Sequence, residues 1–140
     1  MQPALQLLAL FSSILALHLI ALALWTGTVR AMKKKFINPE DAALNQGQEV
    51  ETEHRDVARA KRAHQNALEN AVPFFAIAYF YAATGGSKSG ALIYFGTFTA
   101  ARILHSIFYL WGRQPFRTIT FGIGVLALIG MAVQVIKTAV

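Results

Sequence analysis

The sequence predicts an all-α integral membrane protein in which residues 1–140 form a single domain, a bundle of four membrane-spanning helices. Two compositional observations support this class: 55% of the residues are hydrophobic and only 14% are charged. Soluble domains contain about 45–50% apolar and about 25% charged residues. A third observation is that the apolar residues fall into four segments, each long enough for the roughly 20 residues that a membrane helix needs.

The first predicted span covers residues 3–29, which contain no Lys or Arg. A cleaved signal peptide carries its positive charges before a shorter apolar core. Here the charges begin after the apolar segment, at Arg30, so we expect a retained span. The polar stretch from Arg30 to Asp56 follows, and within it Asn38 and Pro39 predict the N-cap and the first turn of a short helix.

The other three spans are predicted at residues 57–84, 91–111 and 116–137. Short turns at residues 85–90 and 112–115 separate them, so the chain crosses the bilayer as a multi-pass protein. Most Lys and Arg residues lie in or beside the first and third loops, and only Lys88 lies near the second. The positive-inside rule therefore predicts that the first and third loops are cytoplasmic.

The charge and the residue types of the chain exclude several function classes. The net charge is +6, but the positive residues crowd next to apolar segments, which favours membrane anchoring over nucleic-acid binding. Cysteine is absent, which excludes disulfides, a protein thiolate nucleophile and Cys-based metal sites. The sequence contains no hydrolase triad, metal-ligand cluster or phosphate-binding loop, so we expect no metal.

Polar residues form a stripe in the second span. Arg59, Arg62, Asn66 and Glu69 recur at helical spacing and share one face. A charge at the centre of a membrane helix costs about 2.5–3.5 kcal/mol on insertion scales, so this face must meet polar surroundings. Two interpretations stay open: a structural network of ion pairs, such as Arg62 with Glu69, or a binding site that is built on the same network.

A second stripe lies in the third span, where Arg102, His105, Ser106, Tyr109 and Arg113 share a face. Arg102 has no acid in its own helix, so its partner is either Glu69 or a bound anionic ligand. His105 is interpreted as a core histidine rather than a catalyst.

The start of the fourth span adds Arg117 and Thr118. With Arg113 they place two positive charges and a hydroxyl at the membrane surface. Anchoring by the positive-inside rule explains such charges without any binding function.

Several of these residues resemble a known family, the membrane-associated proteins in eicosanoid and glutathione metabolism (MAPEG). Residues 62–70, of sequence RAHQNALEN, and the following Pro73 and Phe74 are similar to its second-helix motif. Residues 26–30 and 36–41 resemble the first helix end and the loop of its branch of microsomal glutathione transferases and prostaglandin E synthases. Later similarities to that branch are found at Arg102, His105, Tyr109, Pro115, Arg117 and Thr118.

The resemblance implies four-helix subunits that assemble as a homotrimer, with glutathione bound between neighbouring subunits near the cytoplasmic side. It implies that Arg117 is catalytic and lies near the thiol, and that Thr118, also catalytic, takes the place of a serine. Asp41 would lie in the loop next to the site. The residues that it implies in glutathione binding are Arg30, Arg62, Asn66, Glu69, Arg102, Tyr109 and Arg113.

Three positions depart from the prostaglandin synthase pattern: Gln65 replaces an arginine, Thr118 a serine and Phe121 a tyrosine. We therefore expect a glutathione transferase that acts on hydrophobic electrophiles from the lipid bilayer, with peroxidase activity towards lipid hydroperoxides as an extension. The alternatives are a glutathione-dependent isomerase of the prostaglandin E synthase type, a non-enzymatic lipid-binding member, and a structural or transport subunit with buried ion pairs.

Overall fold

The computed structural model describes residues 2–140, and four long helices make up most of it. This confirms the predicted all-α bundle of four helices. Two very short strands and one short helix occupy the first loop. In chain order the elements are α1 (Pro3–Lys33), β1 (Lys35–Phe36), α2 (Pro39–Leu44), β2 (Gln48–Glu49), α3 (Arg55–Ala83), α4 (Lys88–Trp111) and α5 (Phe116–Ala139).

Two helix ends differ from the predicted spans. α1 continues past Arg30 and ends with Lys34 in a left-handed conformation, its N–H bonded to the Arg30 carbonyl at 3.1 Å. α4 begins at Lys88, inside the segment predicted as a turn, because the Ser87 hydroxyl caps it by accepting the Gly90 N–H at 3.1 Å. Apolar composition marks the part of a helix that lipid covers, whereas capping bonds decide where the helix ends.

The first loop is folded. β1 and β2 pair in parallel, with Lys35 opposite Gln48 and Phe36 opposite Glu49. The predicted short helix α2 lies between them, with Asn38 at its N-cap position. The Asn38 side chain accepts no backbone N–H there and instead donates to the Asp41 carboxylate at 3.1 Å. The loop thereby holds a fixed path from the end of α1 to the start of α3.

An aromatic core joins α3 to α4. The ring of Phe74 stacks parallel on Phe98 at 4.5 Å between centroids, and it meets Phe95 edge-on at 5.8 Å. All three side chains are buried. Pro73, also inside α3, has no N–H for the carbonyl of Glu69. The core therefore occupies the half of α3 after Glu69, and the polar residues occupy the half before it.

Three helices of residues 2–140, namely α1, α4 and α5, are long and apolar enough to cross a membrane. α3 lacks that composition because its first half is charged, so its crossing as the fourth span stays a prediction. The outward faces of α1 and α5 carry large exposed apolar side chains, which lipid rather than water covers in an integral membrane protein. They include Leu17, Ile20, Leu24, Ile119, Ile123, Leu126, Ile129 and Ile136.

Candidate functional site

A cavity of about 440 Å³ opens beside the first half of α3. This volume is within the range of about 300–1,000 Å³ found for small-molecule sites. Helical periodicity explains how α3 forms one wall of this cavity. Its alanines face the other helices, and its long polar side chains face away from them. The lining residues are Glu53, Ala58, Lys61, Arg62, Gln65, Asn66, Glu69 and, from α4, Tyr109. Four of them, Arg62, Asn66, Glu69 and Tyr109, are residues that the sequence analysis proposes for glutathione binding.

Glu53 brings Arg30 to the edge of this cavity. The Arg30 Nη2 donates to Glu53 Oε1 at 2.9 Å, and the Lys61 Nζ lies 3.0 Å from Oε2. Burial opposes ionisation of this carboxyl, but the hydrogen bonds from Lys61 and Arg30 outweigh it and hold the pKa of Glu53 below its ordinary value. Arg30 therefore reaches the cavity through a shared carboxylate and not by lining it.

Arg62 and Glu69 carry opposite charges that do not neutralise each other. No ion pair among residues 2–140 includes either side chain, and the Glu69 carboxylate accepts only the Gln65 amide, at 3.0 Å. Seven helical residues separate the two by about 10 Å along the axis. The structural ion pair that one interpretation assigned to them is thus not formed within the described chain, and both charges face the cavity.

Arg102 lies behind the cavity wall. Its side chain is buried, and Nη2 donates to the Asn66 carbonyl at 3.2 Å and also to the Asn66 side-chain oxygen. Among residues 2–140 its hydrogen-bond partner is therefore Asn66 and not Glu69. Since the amide oxygen of Asn66 is held by Arg102, the amide nitrogen keeps its two hydrogens for the cavity. Arg102 orients a lining residue and is not itself one.

Arg117 lies next to the cavity because it packs on Tyr109. Its guanidinium carbon is 4.8 Å from the centroid of the Tyr109 ring. The carbonyl of Arg117 accepts a hydrogen bond from His105 Nδ1 at 2.9 Å, so that ring nitrogen must carry a hydrogen. These contacts fix the first turn of α5 against α4.

A single amide connects Arg117 to Thr118. We assign the Gln114 amide with its oxygen towards the guanidinium. In this orientation the oxygen accepts from Arg117 Nε at 3.3 Å and Nη2 at 2.8 Å, and the nitrogen donates to Thr118 Oγ1 at 3.0 Å. The opposite amide orientation would set N–H donors against the guanidinium. The two residues predicted to be catalytic are thus held in one group beside Tyr109.

Arg113 is another predicted binding residue that does not line this cavity in the single chain, and its role in binding stays a prediction. Its side chain is exposed and forms no hydrogen bond or ion pair within residues 2–140, while its backbone N–H bonds the Phe108 carbonyl at 2.9 Å. Asp41 also lies away from the cavity lining, where it accepts from Asn38.

The sequence analysis missed four residues of this region. Gln65 lies three residues after Arg62 and four before Glu69, so the helical pattern held its signal. Lys61 lies beyond the edge of that face and follows it only through Gln65, four residues later. Gln114 lies in the turn before α5, where helical spacing gave no signal for it. Glu53 lies in the loop, where no periodicity pointed to it.

A model of the MAPEG family matches residues 8–137. The chain belongs to the MAPEG family. Its relatives include prostaglandin E synthase from Homo sapiens, which is 35% identical over 98% of this chain and 91% of that protein. Microsomal glutathione S-transferase 1 from Homo sapiens is 35% identical over 93% of this chain and 87% of that protein. The same transferase from Bos taurus is 40% identical over 81% and 76%.

Membership in MAPEG agrees with the resemblance proposed from the second-helix motif and establishes an integral membrane protein. The family match covers all four long helices, including α3 with its charged first half. Within residues 2–140 of this MAPEG chain, no group of His, Asp and Glu side chains is arranged to hold a metal ion.

Proposed function

We propose that this protein is a membrane-bound glutathione transferase that activates the glutathione thiol for attack on hydrophobic electrophiles. The observation that carries the proposal is the pair of unneutralised charges, Arg62 and Glu69, in one cavity with Arg117 beside it. Relatives about 35% identical over most of their length include a microsomal glutathione S-transferase, which supports the same ligand.

The charged groups of glutathione are complementary to the side chains that line the cavity. The tripeptide carries two carboxylates, one amine and one thiol. Arg62 offers a carboxylate a cation that is unpaired within the described part of the chain, and arginine binds such groups in two-point geometry. Lys61, which is paired with Glu53, offers a second cation at the same wall. Glu69, the lining acid that forms no ion pair within residues 2–140, offers a carboxylate for the amine, and the Asn66 amide offers hydrogens for peptide carbonyls. Arg30, already bound to Glu53, adds to the positive potential at the rim.

The chemical task is to ionise the thiol near neutral pH. A free cysteine thiol has a pKa of about 8.5, and lowering it by two units takes about 2.7 kcal/mol. One positive charge about 4 Å away, at an effective dielectric constant near 20, contributes about 4 kcal/mol before desolvation. One arginine is therefore sufficient, and we assign the role to Arg117, with the Thr118 hydroxyl as a hydrogen-bond donor to sulfur.

The transfer then proceeds in two balanced steps. The thiol proton leaves to water, and the thiolate attacks an electrophilic carbon, forming a C–S bond as the leaving group departs with the bonding electrons. A lipid hydroperoxide would instead lose its O–O bond to the thiolate, and a second glutathione would complete reduction to the alcohol, water and glutathione disulfide. Both substrate classes dissolve in the bilayer, which explains why the site borders it.

The relatives named prostaglandin E synthase support a second candidate, a glutathione-dependent isomerase. Such an enzyme uses glutathione without consuming it. Product analysis with a hydrophobic electrophile separates the two: a glutathione conjugate appears with a transferase and is absent with an isomerase.

We further propose that the protein works as a homotrimer with its first and third loops in the cytoplasm. The open cavity, and the exposed position of Arg113 away from it, support a site that a neighbouring copy completes. Native mass spectrometry of the detergent-solubilised protein tests the assembly. A trimer that persists on dilution supports the proposal, and a monomer with full glutathione affinity contradicts it.

An ultraviolet difference titration with glutathione near neutral pH tests the main proposal. We expect a saturable rise in thiolate absorbance for the natural protein. Arg117→Ala should retain binding and lose the rise, whereas Arg55→Ala, a control at an exposed cation outside the cavity, should behave like the natural protein. Binding without thiolate formation would favour a non-enzymatic member. No binding at all would leave the charges of α3 as structural and refute the proposal.

A further inference from the structure

The connection between α4 and α5 contains a residue to which no role is yet assigned. α4 ends at Trp111, and Gly112 takes a left-handed conformation with φ +68°, which favours glycine. The chain then turns through Gln114 into α5. Gln114 precedes the first turn of α5, and its side chain lies within hydrogen-bond distance of both Arg117 and Thr118.

We propose that Gln114 is a positioning residue that aims the Arg117 guanidinium and the Thr118 hydroxyl at the glutathione sulfur. This inference rests on the proposed glutathione function and names a group on which its chemistry depends. Gln114 itself touches neither the sulfur nor the electrophile. It acts through the two hydrogen-bond systems of its amide, one to each of its neighbours.

The Gln114 amide determines which hydrogens of Thr118 and Arg117 remain available to bind sulfur. Because the Gln114 nitrogen donates to Thr118 Oγ1 at 3.0 Å, the hydroxyl acts as acceptor there, and its own hydrogen is free to point at sulfur. The Gln114 oxygen holds Arg117 by Nε and Nη2, which leaves Nη1 free of Gln114. A neutral amide thereby orients the cation without cancelling its charge.

Tyr109 and His105 fix Arg117 from the other directions. The guanidinium carbon lies 4.8 Å from the centroid of the Tyr109 ring, and the backbone carbonyl is bonded by His105. These contacts fix the position of Arg117. The face of the Tyr109 ring, however, does not determine which nitrogens of the guanidinium point towards the site. The Gln114 oxygen, which accepts from two of these nitrogens, determines it.

The change Gln114→Glu tests the idea because it keeps the shape and replaces the amide nitrogen by oxygen. A carboxylate would accept the Thr118 hydrogen and neutralise the charge of Arg117 in the position that it already holds, so neither group would stabilise the thiolate. We expect the pH midpoint of glutathione thiolate formation to rise by about one unit, which is about a tenfold loss of thiolate below the midpoint. The dissociation constant of glutathione should change less than threefold.

A second variant separates positioning from a merely structural role. Gln114→Met keeps the length of the side chain without its hydrogen bonds, and we expect a smaller midpoint shift in the same direction. Gln48→Glu, which introduces the same charge at an exposed position of the first loop, is the control and should leave the midpoint unchanged.

The outcomes distinguish this inference from the proposed function. If the natural protein forms no thiolate with glutathione, the proposed function fails and the inference fails with it. If the natural protein forms thiolate and both Gln114 variants keep its pH midpoint, the inference alone is overturned, even if their melting temperatures fall. A raised midpoint in Gln114→Glu and Gln114→Met, with Gln48→Glu unchanged, supports it.

Discussion

The guanidinium of Arg102 is bound to both oxygens of Asn66, across the boundary between α4 and α3. Asn66 lies on the cavity side of this pair and Arg102 on the buried side. A buried cation without an acid is costly, and two carbonyl oxygens lower that cost by accepting its hydrogens. The same contact presents the Asn66 amide nitrogen to the cavity, so a stabilising bond also shapes the site.

The contact between Arg102 and Asn66 predicts different effects for two substitutions of Asn66. Asn66→Leu removes an acceptor from Arg102, and we expect a loss of about 2 kcal/mol of stability. Asn66→Asp keeps an acceptor and adds a negative charge, so stability should be retained while glutathione affinity falls. Thermal unfolding in detergent and a glutathione titration measure the two effects. Equal stability of both variants would contradict the assigned role of the Arg102 contact.

The unneutralised charge of Arg62 predicts a direct role in affinity. Arg62→Gln should weaken glutathione binding about tenfold or more, because a hydrogen bond to a charged group contributes about 1.5–3 kcal/mol. Melting temperature should change little, since Arg62 forms no ion pair within residues 2–140. Arg55→Gln serves as the matched control, because its side chain is 91% exposed and lies outside the cavity. Unchanged affinity in Arg62→Gln would remove this residue from the binding site.

The lowered pKa of Glu53 predicts a pH-dependent contribution to stability. The ionised carboxylate holds Arg30 and Lys61, so its stabilisation is present above the ordinary glutamate pKa of about 4.3 and is lost as pH falls below it. Glu53→Gln should be less stable than the natural protein by about 1 kcal/mol at pH 7, and the difference should disappear in acid. Melting curves from neutral pH to about pH 3.5 test this, with Glu51→Gln as the control. A difference that does not depend on pH would contradict the assignment.

The charge asymmetry of the loops predicts the orientation of the chain. Since the sequence has no cysteine, single cysteines at Thr52 and Lys88 report the first and second loops without background labelling. In sealed vesicles of known orientation, an impermeant maleimide should reach Thr52→Cys from the cytoplasmic face and Lys88→Cys from the opposite face. Labelling of both from one face would exclude an odd number of membrane crossings between them and would remove α3 as a span.

The sequence alone determined the class of the protein and the wall of its cavity. Apolar segments predicted the four long helices because lipid accepts only apolar side chains over that length. The spacing of Arg62, Asn66 and Glu69 predicted one polar face because a helix repeats every 3.6 residues. Both are local properties of consecutive residues, so no knowledge of the fold was needed. The motif of residues 62–70 also indicated the family that the comparison then established.

Only the tertiary structure decided which side chains meet. It gave Arg102 the partner Asn66 within the protein, where the sequence had suggested Glu69, and it placed Glu53 between Arg30 and Lys61. It left Arg113 exposed away from the cavity, although helical spacing placed it on the face of Arg102. Contacts of this kind depend on the distance and angle between segments that are far apart in sequence. The packing of the helices and the path of the first loop set this distance and angle. The periodicity of residues within one segment gives no information about either.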